Sequence, residues 1–342
     1  MALNLLEKSI LATIAYYDVL DCPLTGFEVF KYLINPLHII AQSGFGQNLE
    51  LEPVKNISYL NVLNNLKNLL HPLRSEARYI DEHNGFYFLK NRKEIFKTKI
   101  ERQKISDQKW RKTRKIICWL QIIPYLRLVA ISGSKALSNA RKNSDIDLLI
   151  IAKHKRIWTV RFFLTLFIHL IGKRRHAKKT KDRLCLNHYV TDQSLKINFP
   201  SLYNAQTYAH LIPVLEIEQD IYKKFQQANK WIKDYLFVYP KQEIPDQRQI
   251  KKSKFLRKIA KFQEFILDTF IGSILEKIFK IIQKISIKIH SLRDKGEGRV
   301  IADEFQLEFH PTSPELKIID KFNKNIIRLS LGIKSEKDSG LR

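Results

Sequence analysis

Cysteine is scarce in this chain: three residues in 342, at Cys22, Cys118 and Cys185. They stand far apart, lack the paired spacing of a zinc site and cannot build a disulfide framework. A reduced, cytoplasmic setting is expected. Long apolar runs are missing too. The nearest, Phe162–Gly172 (FFLTLFIHLIG), falls far short of the ~20 residues that span a bilayer and reads as a buried helix. The opening stretch MALNLLEKSILATIAYYDVLD has no basic leading region and is interrupted by Glu7 and Asp18, so no signal peptide is expected. No complete phosphate loop, GxSxG or GxGxxG motif occurs, and the ten histidines show no zinc spacing.

Acidic residues are also in short supply. Lys and Arg number 60 against 34 Asp and Glu, a formal net charge of +26. That balance favours polyanionic partners: nucleic acid, nucleotides or an anionic membrane surface. An A+T-rich coding sequence, rich in Lys, Ile, Asn and Phe codons, would give the same composition without selection for binding. Apolar residues at 44% and aromatics at 11% suffice for a packed core and exclude a disordered chain. The length suits roughly two domains.

Three helices and a hairpin are expected over residues 1–90. Leu5, Leu6, Ile10, Ile14 and Tyr17 recur at helical spacing over about 3–18. Thr25 with Glu28 forms a capping box that starts a second helix at about 26–34. Residues 35–57 read as a loop. A third helix, about 58–70, carries Leu60, Leu63, Leu66, Leu69 and Leu70 on one side. Tyr79–Leu89 turns at Asn84-Gly85 and reads as a hairpin. This order resembles a winged helix-turn-helix. The 58–70 helix could enter a DNA groove with Asn61, Asn64, Asn65, Lys67 and Asn68, or the unit could serve protein contacts or dimerisation. Residues 91–122 form a basic helical connector, either solvated or touching phosphates.

The central stretch is VAISGSKALSNARKNSDIDLLII, residues 129 to 151. Leu126–Ile131 is a strand, Gly133-Ser134 a turn, Lys135–Ala140 a short helix start, and Asp145–Ile151 a second strand. Period two puts Asp145 and Asp147 on one face, with Ile146 on the other. Two adjacent carboxylates repel unless a cation sits between them, and hard oxygen ligands select Mg²⁺ with substrate phosphates. A glycine lets backbone approach a phosphate, and the following helix start aims N–H groups at it. Phosphates on one side and carboxylates on the other suit phosphoryl or nucleotidyl transfer, with two metals clamping the attacking and leaving oxygens.

Gly133-Ser134, ten residues, then Asp145-Ile146-Asp147 resembles the signature of the DNA polymerase beta-like nucleotidyltransferase superfamily, in particular its minimal and aminoglycoside nucleotidyltransferases. The resemblance implies an α/β (α+β) palm, Mg²⁺ (a two-ion site) and a nucleoside triphosphate. Asp145 and Asp147 are then the catalytic metal ligands, and Gly133, Ser134, Lys135 and Ser144 the candidate nucleotide contacts. Lys135 and Arg141 either contact the triphosphate or are simply solvated; Arg156, Arg161 and Lys173-Arg174-Arg175 either bind an anionic substrate or cap an apolar helix in water. The superfamily's third carboxylate is expected on Leu184–Val190, which holds Asn187 and His188 and no acid. His188 is a substitute base or an ordinary strand histidine.

The expected palm covers 123–200, and 201–342 is expected to be mainly helical. Ser201–Ile217 looks helical until Pro213, and Gln226–Tyr239 is expected to be helical. Over 251–293 an apolar stripe runs through Phe255, Ile259, Phe262, Ile266, Phe270, Ile274, Ile278, Ile282, Ile285 and Ile289. It is expected to pack on the palm, with a dimer interface and an in-plane membrane helix as alternatives. Arg299–Phe309 reads as a strand and Leu316–Leu331 as a closing helix. The leading expectation is an Mg²⁺-dependent enzyme moving an NMP from an NTP to an unknown acceptor. The alternative is a degenerate nucleotide sensor or a DNA- or protein-binding regulator. Nucleic acid and a homo-oligomer are further candidate partners.

Overall fold

A computed structural model describes residues 3–37, 57–70, 79–175, 179–240, 248–293, 298–310 and 313–329. Most of the expected 35–57 loop and the C-terminal SEKDSGLR lie outside the described residues. The fold is mixed α/β. Its N-terminal part runs α1 (Leu5–Val19), β1 (Leu24–Thr25), α2 (Gly26–Lys31), α3 (Tyr59–Leu70), β2 (Ile80–His83), β3 (Phe86–Leu89) and the long α4 (Glu94–Trp119). The capping box forms as expected: Glu28 N–H donates to Thr25 Oγ1 at 3.2 Å and Thr25 N–H to Glu28 Oε2 at 2.9 Å. The hairpin turns through Asn84 and Gly85, both at positive φ. Strands β1, β3 and β2 make a small antiparallel sheet.

The main sheet has six strands in the order β7-β4-β5-β6-β9-β8. Its centre is β4 (Leu126–Ile131), β5 (Ile146–Ala152) and β6 (Leu184–Thr191), with the short helix α5 (Gly133–Ala136) after β4 and α6 (Ile157–Leu170) between β5 and β6. β4 and β5 are antiparallel, while β5 and β6 are parallel and joined by the α6 crossover. Next come α7 (Leu202–Ala209), β7 (Ile212–Glu216), α8 (Ile221–Ala228), α9 (Ile232–Tyr235), α10 (Lys254–Leu267), α11 (Phe270–Arg293), β8 (Arg299–Ala302), β9 (Gln306–His310) and α12 (Glu315–Arg328).

The sheet therefore draws strands from beyond residue 200, the stretch expected to be mainly helical. Pro213 does not break a helix there. It sits in β7, an edge strand, opposite Ala130 at a register shift, where a missing N–H is tolerated.

Alternation along the central strands feeds two cores. Leu128, Ala130, Leu149, Ile151 and Val190 face one side, with α1, α3, α7, α8 and α12. Val129, Ile131, Leu148, Ile150 and Tyr189 face the other, with α4, α6 and the start of α11. Each fully buried Val, Leu or Ile among them contributes roughly 1.5–3 kcal/mol. The N-terminal helices share the first core, and Asn325 Nδ2 donates to the Ala15 carbonyl at 3.2 Å. Most of the described buried apolar residues of 1–90 thus belong to the same core as the sheet.

Two helical expectations change. The connector α4 is not simply solvated: Ser106, Lys109, Trp110, Thr113 and Ile117 recur at helical spacing and are buried. The 251–293 stripe, apart from half-buried Ile259, is turned to solvent. The inward face of α11 is instead Leu275, Glu276, Phe279, Gln283 and Ile287. Phe279 stacks on Phe162 of α6 with ring centroids 4.0 Å apart.

Candidate active site

Asp145 and Asp147 flank Ile146 at the start of β5. Ile146 is driven into the second core, so strand geometry turns both carboxylates to the opposite face. Register then sets the neighbours: Asp147 is opposite Cys185 on β6. Ligand atoms of Asp145, Asp147 and Cys185 all lie within 4.8 Å of one another.

The ladder then slips. Asp147 pairs with Cys185 but Leu149 with His188, so β6 carries one extra residue. That bulge brings Asn187 onto the carboxylates: its Nδ2 donates to Asp147 Oδ1 at 3.2 Å. His188 points toward α7 and β9, where its Nδ1 meets the Tyr208 hydroxyl at 2.9 Å and its Nε2 meets Gln306 Nε2 at 3.1 Å. It is 4% exposed and held on both ring nitrogens, which fits a buried structural histidine rather than a base.

Arg175 supplies the positive charge beside the pair. Its Nη1 lies 2.8 Å from Asp145 Oδ2 and 3.2 Å from Cys185 Sγ. The Asp145 contact is an ion pair; among the described residues that oxygen has no well-aligned hydrogen bond. Burial, then the neighbouring Asp145 charge, push Asp147 up to about 6, against Arg175, Cys185 and Asn187. Burial and Asp147 push the Cys185 thiol up to about 12. Cys185 therefore stays a neutral thiol, and the hard, anionic donors are the two carboxylates.

Gly133 closes the arrangement. Its φ is +65°, and a Cβ built there would lie 2.9 Å from Asp147 Oδ2. Ser132 N–H donates to the Asp147 carbonyl at 3.1 Å, so the turn and β5 are also joined through backbone. Ser134 follows in α5. Ser144 lies in the opposite turn, and its hydroxyl donates to the Arg141 carbonyl at 2.9 Å.

Lys135 is placed differently from its expected role as a nucleotide contact. It is 1% exposed, donates to the Lys109 carbonyl at 3.1 Å and to Thr113 Oγ1, and lies 4.8 Å from the Trp110 ring centroid. The short α5 turn lays it on α4, away from the carboxylates' hydrogen-bond partners. Burial, then Lys109, lower its pKa to about 7. Unfolded, the amine titrates at ~10.4, so between pH 7 and ~10.4 the unfolded chain binds the extra proton and stability rises with pH. We expect the urea midpoint of wild type to rise relative to that of Lys135→Met between pH 7 and pH 9.5. Parallel midpoints would show that Lys135 stays charged in the fold.

Three of the remaining basic candidates are engaged elsewhere. Arg141 is 3.6 Å from Asp21, and Arg156 is 3.7 Å from Asp268. Arg161 donates to Gln283 Oε1 at 2.5 Å. From the basic run only Arg175 is seen to reach the carboxylates. Cys185, which carries no spacing signal, also joins them. Tyr203 of α7 lies near as well: burial, then Asp147 and Glu315, raise its hydroxyl pKa.

The geometry defines a class: a strand-borne carboxylate pair in contact with a glycine turn. Residues 110–260 match the family model described as Nucleotidyltransferase domain, a stretch that contains all of these groups. No curated protein and no solved structure matched the chain.

Proposed function

We propose that the protein is a divalent-metal-dependent nucleotidyltransferase that moves an NMP from an NTP to an acceptor, releasing pyrophosphate. The observation that carries this reading is the contact of Gly133 with Asp147: only a residue without a Cβ lets the turn and the carboxylate share one space. Asp145 and Asp147 would hold Mg²⁺, which would neutralise triphosphate charge at that point. The donor set suits it: two carboxylates, one pushed up by burial and then by its neighbour, gain from a shared cation. The Gly133-Ser134 turn positions the triphosphate, and Arg175, half-exposed beside Asp145, adds a cation toward the same space.

In this reading residues 1–90 are a winged-helix module, supported by the order α1-β1-α2-α3-β2-β3 and its small sheet. Asn61, Asn64, Lys67 and Asn68 of α3 are exposed. Residues 91–122 join it to the palm around 123–200.

Asn187 favours a second reading. An amide on β6 hydrogen-bonds Asp147, on the strand where the superfamily resemblance implies an acid. A nucleotide-binding regulator needs no base there. The test is retention of labelled NTP with Mg²⁺. Wild type should bind, and Asp145→Ala/Asp147→Ala should lose Mg²⁺-dependent binding while remaining folded. Pyrophosphate release on adding cell extract supports transfer. Equal binding by the double variant overturns the site.

A further inference from the structure

Helices α10 and α11 turn all of their acidic groups toward the body of the protein and leave a large apolar face outward. Glu264 accepts from Tyr125 N–H at 2.7 Å. Glu276 accepts from Trp158 N–H at 3.0 Å and Thr159 N–H at 2.8 Å. Gln283 Nε2 donates to the Trp158 carbonyl at 2.9 Å. Asp268, at the corner, accepts from the Tyr125 hydroxyl and pairs with Lys153 and Arg156. These three acids are the only ones in 251–293, and each is tied to the body of the protein.

On the outward side, Ile271, Ile274, Ile278, Ile281, Ile285 and Ile289 form one stripe, all exposed. Phe255, Phe262, Phe265 and Ile266 continue it along α10, and Phe265 and Phe270 are 77% and 79% exposed. An isolated exposed Leu or Ile needs no explanation, but a contiguous apolar face of this length marks an interaction surface. Exposed lysines border it: Lys254, Lys258 and Lys261 on α10, and Lys277, Lys284 and Lys288 on α11.

We propose that this face docks in the plane of an anionic lipid bilayer. The apolar stripe would sink ~5–10 Å to the headgroup boundary, with the lysines reaching lipid phosphates. Among the described residues no helix is long and apolar enough to cross a membrane, so the helices lie on the surface rather than span it. Charge decides between this occupant and a second copy of the chain. The spacing from Ile271 to Ile285 alternates three and four, as a coiled-coil seam would. Yet Lys277 and Lys284 flank that seam, and a second copy would offer them no outward acid from these helices. A layer of lipid phosphates offers them anions everywhere.

The full-length protein should float with vesicles of phosphatidylcholine mixed with phosphatidylglycerol, less so in high salt, and not with phosphatidylcholine alone. Lys277→Gln/Lys284→Gln should lower partitioning roughly 30-fold, at about a factor of five per lysine. Ile281→Ser/Ile285→Ser should abolish it. All four positions are exposed, so thermal melting should match wild type. Failure of wild type to float on anionic vesicles overturns the proposal. So does equal flotation on both vesicle types. A dimer by light scattering that Ile281→Ser/Ile285→Ser dissolves, with no vesicle binding, assigns the face to a second copy instead.

Discussion

Gly133→Ala is expected to abolish Mg²⁺-dependent nucleotide binding while leaving the protein folded. Two effects act together. The backbone at φ +65° disfavours any L side chain by about 1–2 kcal/mol. The new methyl would also lie 2.9 Å from Asp147 Oδ2, closer than real Cβ contacts come. Asp147 is held from the other side by Asn187 at 3.2 Å, so the carboxylate must rotate away or the turn must unwind. Either response separates the turn from the carboxylate. Gly85→Ala provides the control. Gly85 has φ +79° and nothing within 4 Å of a built Cβ, so it carries a backbone penalty without the collision. Calorimetry should show nucleotide binding kept in Gly85→Ala and lost in Gly133→Ala, with both melting below wild type by a few degrees. Undiminished binding by Gly133→Ala would remove the turn from the site.

Strand-bound chemistry was the most legible part of the sequence. Period two placed Asp145 and Asp147 on one face, and the apolar run on either side fixed the register that keeps them there. Thr25 with Glu28, and Asn84-Gly85, are local rules that work without tertiary help. What could not be read depends on contacts distant in sequence. Arg175 was one member of a basic run until α6 brought it back to Asp145. Cys185 acquires its place only through parallel pairing with Asp147. Lys135 lies between the two motif halves, yet α4 claims its side chain from upstream. In α10 and α11 the apolar period was correct and its direction was not. Periodicity finds the apolar face of a helix but not what that face meets, and here Glu276 and Gln283 bind the α6 N-terminus instead.

Asn187→Asp carries the second large effect, and it separates enzyme from sensor. The bulge in β6 already presents position 187 to Asp147, so an isosteric carboxylate would stand where the amide stands now. Without a cation the change is unfavourable. It replaces a hydrogen bond with a repulsion beside a group that burial and Asp145 already push up to about 6. The variant should therefore melt below wild type in EDTA and recover when Mg²⁺ is added, because a shared divalent ion relieves like charges. If the wild-type site transfers nucleotides without a carboxylate to take the acceptor's proton, the variant gains one. Pyrophosphate release should then rise on the order of 10²–10⁴-fold, the usual contribution of a positioned base. A sensor gives a different pattern: Mg²⁺ rescues the melting temperature, nucleotide binding persists, and no pyrophosphate appears from either protein. Turnover in wild type that Asn187→Asp leaves unchanged would mean the acceptor's proton leaves by a route that avoids β6. Tyr203, whose hydroxyl already feels the charge of Asp147, is then the group to replace next.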